Sequence, residues 1–233
     1  MRTLTLLCLT TLLSFSLCAQ NLEQRKISDF KSVKFEGRGD LILTEGNTAA
    51  LELEAGDGVD LSRVRTYVQG NTLYIKYDRD DEVWDMHPKI IVYLSYRSLH
   101  EISAAGIIDV RTESPIRNSS FSFIAEGMGK SNLEVAVDRI TVQIAGTADV
   151  KLRGIVNRGS LILEGTGELD AFDMKAASID AEVNGTGSLF VYATERLHVE
   201  ANGFGAQVKY KGNPADKVID KSGWVSVKQV NSR

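Results

Sequence analysis

Residues 160–167 read SLILEGTG, residues 180–187 read DAEVNGTG and residues 198–205 read HVEANGFG. Each segment alternates apolar and polar residues and then meets a Gly-x-Gly. Working outward on the first glycine of each turn gives Gly106, Gly127, Gly146, Gly165, Gly185 and Gly203, spaced by 21, 19, 19, 20 and 18 residues. A period of this size marks a repeat architecture and takes precedence over local secondary-structure assignment. Four residues before each glycine stand Ile102, Phe123, Val142, Leu161, Ala181 and Val199, and two before stand Ala104, Ala125, Ile144, Leu163, Val183 and Ala201. The local period of two makes these segments strands.

After the turns the alternation resumes with Val150 and Leu152, Leu169 and Ala171, Leu189 and Val191, and Val208 and Tyr210. Each repeat therefore holds at least two short strands and two corners. The packing predicted is an all-β stack, a right-handed β-solenoid or β-helix-like array of coils of roughly 20 residues. Its strands would pair coil to coil at about 4.8 Å, with apolar columns through the middle. A meander sandwich with a hairpin at every Gly-x-Gly is the structural alternative. Glycine suits such corners because it reaches positive φ and admits a neighbouring backbone. The positions expected to turn the chain are Gly37, Gly39, Gly106, Gly127, Gly129, Gly146, Gly165, Gly167, Gly185, Gly187, Gly203, Gly205 and Gly212. No helix pattern follows any of them, so they lack the loop-before-helix geometry of a phosphate cradle.

The first third is organised differently. Val33, Phe35, Gly37, Leu41 and Leu43 imitate the repeat once, and hairpin signals follow at Glu45-Gly46-Asn47 and Gln69-Gly70-Asn71. Residues 20–98 are thus read as an antiparallel β region with one early repeat and one helical turn between Val59 and Val68, and residues 99–233 as the solenoid with a C-terminal cap, together one domain. An exposed end would invite edge association, and Pro214, Lys217, Lys221 and Lys228 are the residues that discourage it.

The segment before all this, MRTLTLLCLTTLLSFSLCAQ, carries Arg2 as its only charge and an apolar run too short for a membrane span. It reads as a signal peptide of residues 1–19, cleaved after Ala19, with lipidation of Cys18 as the competing processing. Both cysteines, Cys8 and Cys18, lie inside it, so a chain beginning at Gln20 has no thiol chemistry. With 27 basic and 31 acidic residues the formal charge is −4, and no basic stripe recruits nucleic acid. The chain is expected in the periplasm or at the cell surface, with no transmembrane span after cleavage.

The Gly-x-Gly turns, the leader, the early hairpins and the closing YKGNP and SGWVSVK resemble one bacterial family, the putative auto-transporter adhesin, head GIN domain family. The resemblance runs from about Ile27 to Lys228 and is carried by Gly185 to Gly187, Gly203 to Gly205 and Gly212 to Pro214. It implies a secreted or envelope-associated β-helical protein of a Gram-negative bacterium, with a name that speaks of adhesion and with no established enzymatic activity.

Candidate chemistry is sparse. Asp40, Asp109, Asp149 and Asp170 recur after the turns, as aspartates do in calcium-binding β-rolls, but Ser131, Ser188 and Ala206 interrupt the column, and aspartates also cap turns by accepting from nearby amides. The loop from Asp78 to Pro88 concentrates Asp78, Asp80, Asp81, Glu82 and Asp85 around Trp84. Its carboxylates are the weak Ca2+ candidates, and Trp84 is the candidate ligand contact, against the reading of a solvated acidic loop. Arg38-Gly39-Asp40 spells an adhesion tripeptide where the repeat already needs a turn. His87, His100 and His198 are isolated, and no nucleophile elbow or metal-spaced pair occurs. These observations predict a non-enzymatic envelope protein, a binding or structural module for glycan or another protein that is free to form a homo-oligomer. A polysaccharide-processing β-helix enzyme is the alternative.

Overall fold

The computed structural model describes residues 22–56, 59–77 and 89–230. Within them the chain is built from β1 (Leu22–Arg25), β2 (Ser32–Glu45), β3 (Ala50–Ala55), β4 (Val64–Gln69), β5 (Thr72–Tyr77), β6 (Ile90–Tyr96), β7 (Glu101–Thr112), β8 (Ile116–Gly165), β9 (Glu168–Gly185), β10 (Ser188–Lys211) and β11 (Asp216–Gln229). The only helical element among the described residues is a 3-10 turn, Leu61–Arg63, which Asp60 caps by accepting from the Ser62 amide at 2.9 Å. It falls inside the window where the sequence allowed one helical turn.

All eleven strands belong to one open sheet, whose path runs β1-β3-β6-β2-β7-β8-β9-β10-β11, with β5 on β2 and β4 on β5. From β2 onward along this path the pairing is parallel. Gly37 faces Gly106, Gly106 faces Gly127, Gly165 faces Gly185, Gly185 faces Gly203, and Gly203 faces Gly223. The repeat glycines thus lie on one line across the sheet. Strand β8 has 50 residues. Drawn straight it would measure about 165 Å, and it bends because Gly127, Gly129, Gly146 and Gly154 all take positive φ.

The apolar columns read from the sequence are buried at every position. Ile102, Phe123, Val142, Leu161, Ala181 and Val199 line one, and Ala104, Ala125, Ile144, Leu163, Val183 and Ala201 line the next. They join a single core running from Phe30 to Tyr210. Alternation put them inside, and parallel pairing in register stacked them.

The first third departs from a purely antiparallel region. Strand β2 lies parallel to β5, β6 and β7, because its Val33 and Phe35 extend the same columns as Ile102 and Ala104 on β7. Its other edge is covered by β5 up to Glu36 and by β6 from Gly39. The hairpin expected at Glu45-Gly46-Asn47 does not form. That turn carries the chain across β6, and β3 pairs antiparallel with β6, one strand away from β2. The backbone amide of Gly46 donates to the Tyr96 carbonyl at 2.8 Å, which fixes the crossing. The second hairpin forms as read, with Gln69 opposite Thr72 and Gly70 at φ 63°.

Tyr96, at the end of β6, is 1% exposed, and burial first, then the Glu45 carboxylate, pushes its hydroxyl up to about 12. The unfolded chain ionises this tyrosine near pH 10 and the folded one does not until about 12, so stability falls with rising pH between the two values. Urea titrations at pH 9 and 11 should show the loss, to which Tyr96 contributes at most about 1.4 kcal/mol per pH unit and Tyr77, pushed up to about 12 by burial, adds its own share. Tyr96→Phe should remove its share and make that part of the profile less steep.

Candidate functional site

The residue that follows each aligned glycine points away from the core. Along the sheet these residues are Arg38, Ile107, Met128, Thr147, Thr166, Thr186, Phe204 and Trp224, and they form one outward line on the glycine corner. The threonines are exposed. Thr166 and Thr186 bring their hydroxyl oxygens within 3.0 Å of one another. At the C-terminal end of the line Phe204 and Trp224 lie in register on β10 and β11 and stack with centroids 5.4 Å apart and planes 13° from parallel. They are 71% and 75% exposed.

Beside the aromatic pair are uncharged polar groups. Asn202 and Asn184 precede their column glycines on adjacent strands, and Asn184 donates to the Glu182 carboxylate at 2.7 Å. Around the corner, Phe172 and Phe190 stack at 5.2 Å. The Lys211 ammonium sits 4.4 Å from the Phe172 centroid and the Lys209 ammonium 5.2 Å from that of Phe190. Lys209 faces Lys228 directly across the β10–β11 ladder. The C-terminal end thus joins aromatic surfaces, amides, hydroxyls and ammonium groups, a set that can stack on rings and exchange hydrogen bonds.

The residues singled out in the sequence are distributed otherwise. Asp109 accepts from the Lys130 amide at 2.7 Å and Asp170 from the Phe172 amide at 3.0 Å, while Asp40 pairs with Lys89 at 2.9 Å. Asp109 and Asp149 line a shallow cavity of about 410 Å³ with Gly129, Lys130 and Thr147. Among the described residues no group of three or more His, Cys, Asp or Glu side chains is placed to hold a metal ion. Asp78, Asp80, Asp81, Glu82, Trp84, Asp85 and His87 lie outside the described residues. Arg38-Gly39-Asp40 lies within β2 and its aspartate is engaged, so the tripeptide is strand, not a projecting loop. His100 contacts the Ser98 hydroxyl at 3.3 Å, and His198 stands 3.7 Å from both Asp180 and Asp220.

The turn glycines divide into two kinds. Gly37, Gly106, Gly127, Gly129, Gly146, Gly165, Gly185, Gly203, Gly205 and Gly212 take positive φ, whereas Gly39, Gly167 and Gly187 do not. A Cβ on those three would still run into the Ile90 carbonyl, the Ala148 carbonyl and the Leu163 side chain respectively. For them close approach, not backbone conformation, is the reason.

The Phe204–Trp224 pair was not found by reading the sequence, although a signal existed. Gly223 continues the glycine series 20 residues after Gly203, and Trp224 follows it as Phe204 follows Gly203. SGWVSVK thus carries a glycine and an aromatic residue at the same offset as NGFG.

A family model described as putative auto-transporter adhesin, head GIN domain, matches residues 29–214. No curated protein matches. Among solved structures, a putative adhesin from Bacteroides fragilis NCTC 9343 is 23% identical, with a TM-score of 0.81 over 90% of this chain and 96% of that one. A putative lipid binding protein from Parabacteroides distasonis ATCC 8503 is 20% identical, with a TM-score of 0.68 over 91% and 98% of the two chains. A putative adhesin from Parabacteroides merdae ATCC 43184 is 20% identical, with a TM-score of 0.62 over 90% and 95%. At these identities the likeness is one of fold.

Proposed function

Because the chain belongs to the putative auto-transporter adhesin, head GIN domain family, we propose that it is a non-enzymatic binding module of the cell envelope that holds a glycan on the corner formed by Phe204 and Trp224. In this reading the leader exports it, residues 99–230 are a β-solenoid, and the corner line is the contact surface. The leader and the family support export, and the parallel register of the repeat glycines supports the solenoid.

The observation that carries the reading is the stacked, exposed aromatic pair. Two large rings left in water forgo the free energy of burial, on the order of 2 kcal/mol each, and flat exposed ring faces suit the apolar faces of sugar rings. The neighbouring Thr186, Asn184 and Asn202 supply uncharged donors and acceptors for hydroxyls. An array of neutral and acidic glycans should yield ligands, and titration of the best of them should show Trp224→Ala weakening binding about tenfold, as expected for a buried anchor in a small interface. The unfolding midpoint should hardly move, since Trp224 is largely exposed. Unchanged affinity in Trp224→Ala, or an array without binding, would overturn the assignment.

A further inference from the structure

The charge of the chain reverses at the end that bears the aromatic pair. Residues 204–230 contain five lysines against two aspartates, a net of +3 in a chain whose total is −4. Of the two aspartates, Asp216 pairs with Arg196 at 3.4 Å and Asp220 stands 3.7 Å from the His198 ring. Among the described residues no carboxylate forms an ion pair with Lys209, Lys211, Lys217, Lys221 or Lys228. Lys209 and Lys228 stand opposite one another in the parallel ladder, an arrangement of like charges that costs stability unless an anion lies between them. Lys209 and Lys211 are held over the Phe190 and Phe172 rings, which limits the freedom they would lose on binding.

On the reading that this end binds glycan, we infer that the glycan is acidic, an oligosaccharide carrying carboxylate, sulfate or phosphate groups. Its sugar rings rest on Phe204 and Trp224 and its anionic groups reach Lys209 and Lys228. Lys209 follows Phe204 by five residues and Lys228 follows Trp224 by four. At about 3.3 Å per residue the chain between them spans at most roughly 13 to 16 Å, and it turns at Gly205, φ 92°, so the lysines lie around the corner from the rings. A ligand that touches both sides of the corner extends beyond a single sugar, so it is an oligosaccharide. The placing of rings and ammonium groups on two sides of a corner favours this occupant over a flat lipid surface.

The experiment compares two forms of one backbone, oligogalacturonate and its methyl ester, on the full mature chain. The acidic form should bind at least tenfold more tightly, and the gap should close as salt rises from about 50 to about 500 mM, where screening is nearly complete over such distances. The double variant Lys209→Gln/Lys228→Gln should lose the preference for the acid, while Trp224→Ala should weaken both forms. Equal binding of acid and ester by the native chain would overturn the acidic-ligand inference and leave the glycan reading standing. Failure of both to bind, with none bound on the glycan array, would overturn the glycan reading itself. Binding to phosphatidylglycerol vesicles with neither sugar bound would overturn both in favour of an anionic lipid surface.

Discussion

Replacing Gly185 with alanine is expected to lower the unfolding free energy by about 2–6 kcal/mol, a loss of one to three for a backbone conformation hostile to side chains and of as much again for overpacking. Gly185 has φ 139°, and a Cβ there would strike the Gly165 carbonyl oxygen of the neighbouring strand. The backbone has no room to retreat. Gly203 lies on its other side in register, so close that a Cβ on Gly203 would in turn strike the Gly185 carbonyl. Gly205→Ala separates the two causes. Gly205 also has positive φ, 92°, but nothing lies within 4 Å of its absent Cβ. It should lose only the conformational part, about 1–3 kcal/mol. Urea midpoints at unchanged slope will decide. Equal losses at the two positions would mean that the approach between neighbouring strands is not what selects glycine on this line.

Leu163→Ala should cost about 2–5 kcal/mol, from the lost transfer of its methyl groups and the cavity left among neighbours that cannot collapse. Leu163 is fully buried, stands in register with Val183, and occupies the space beside Gly187 that a Cβ there would need. Ile155→Ala is the comparison, since Ile155 lies on the same long strand β8 but is 70% exposed. Its loss should stay within about 0.5 kcal/mol. A Leu163→Ala loss as small as that of Ile155→Ala would contradict the register of the column.

What could be read in advance was what the chain repeats. Ile144, Leu163 and Val183 recur with their glycines because each lies over its predecessor, so one period fixed strand, inward face and neighbour together. The first third has no such period. Nothing local in Glu45-Gly46-Asn47 tells whether the next strand will return beside its own or pass over another, and here β6, some 40 residues later, takes the place between β2 and β3. The hairpin at Gly70 was legible because its partner strands are adjacent in sequence and the turn residues alone set the register. The aromatic corner required two residues 20 apart, Phe204 and Trp224, to be recognised as neighbours, which follows from the period only after Gly223 is counted. The aspartates drew attention by recurrence, yet Asp109 and Asp170 answer to backbone amides and Asp40 to Lys89.

Among the described residues strand β11 ends the sheet with one edge unpaired, and its sequence from Asp216 to Lys221 is DKVIDK. Side chains alternate between faces, so Asp216 and Asp220 share one side and Lys217 and Lys221 the other. Two copies related by a two-fold axis and joined antiparallel along this edge must set residues of equal parity opposite each other. An axis through 216, 217, 220 or 221 sets a charge against its own image. An axis at Val218 sets Asp216 against Asp220, and one at Ile219 sets Lys217 against Lys221. Every symmetric register centred on this run is therefore repulsive, by up to about 1 kcal/mol for each opposed pair. The alternating charges make this strand a poor partner for a second copy of itself.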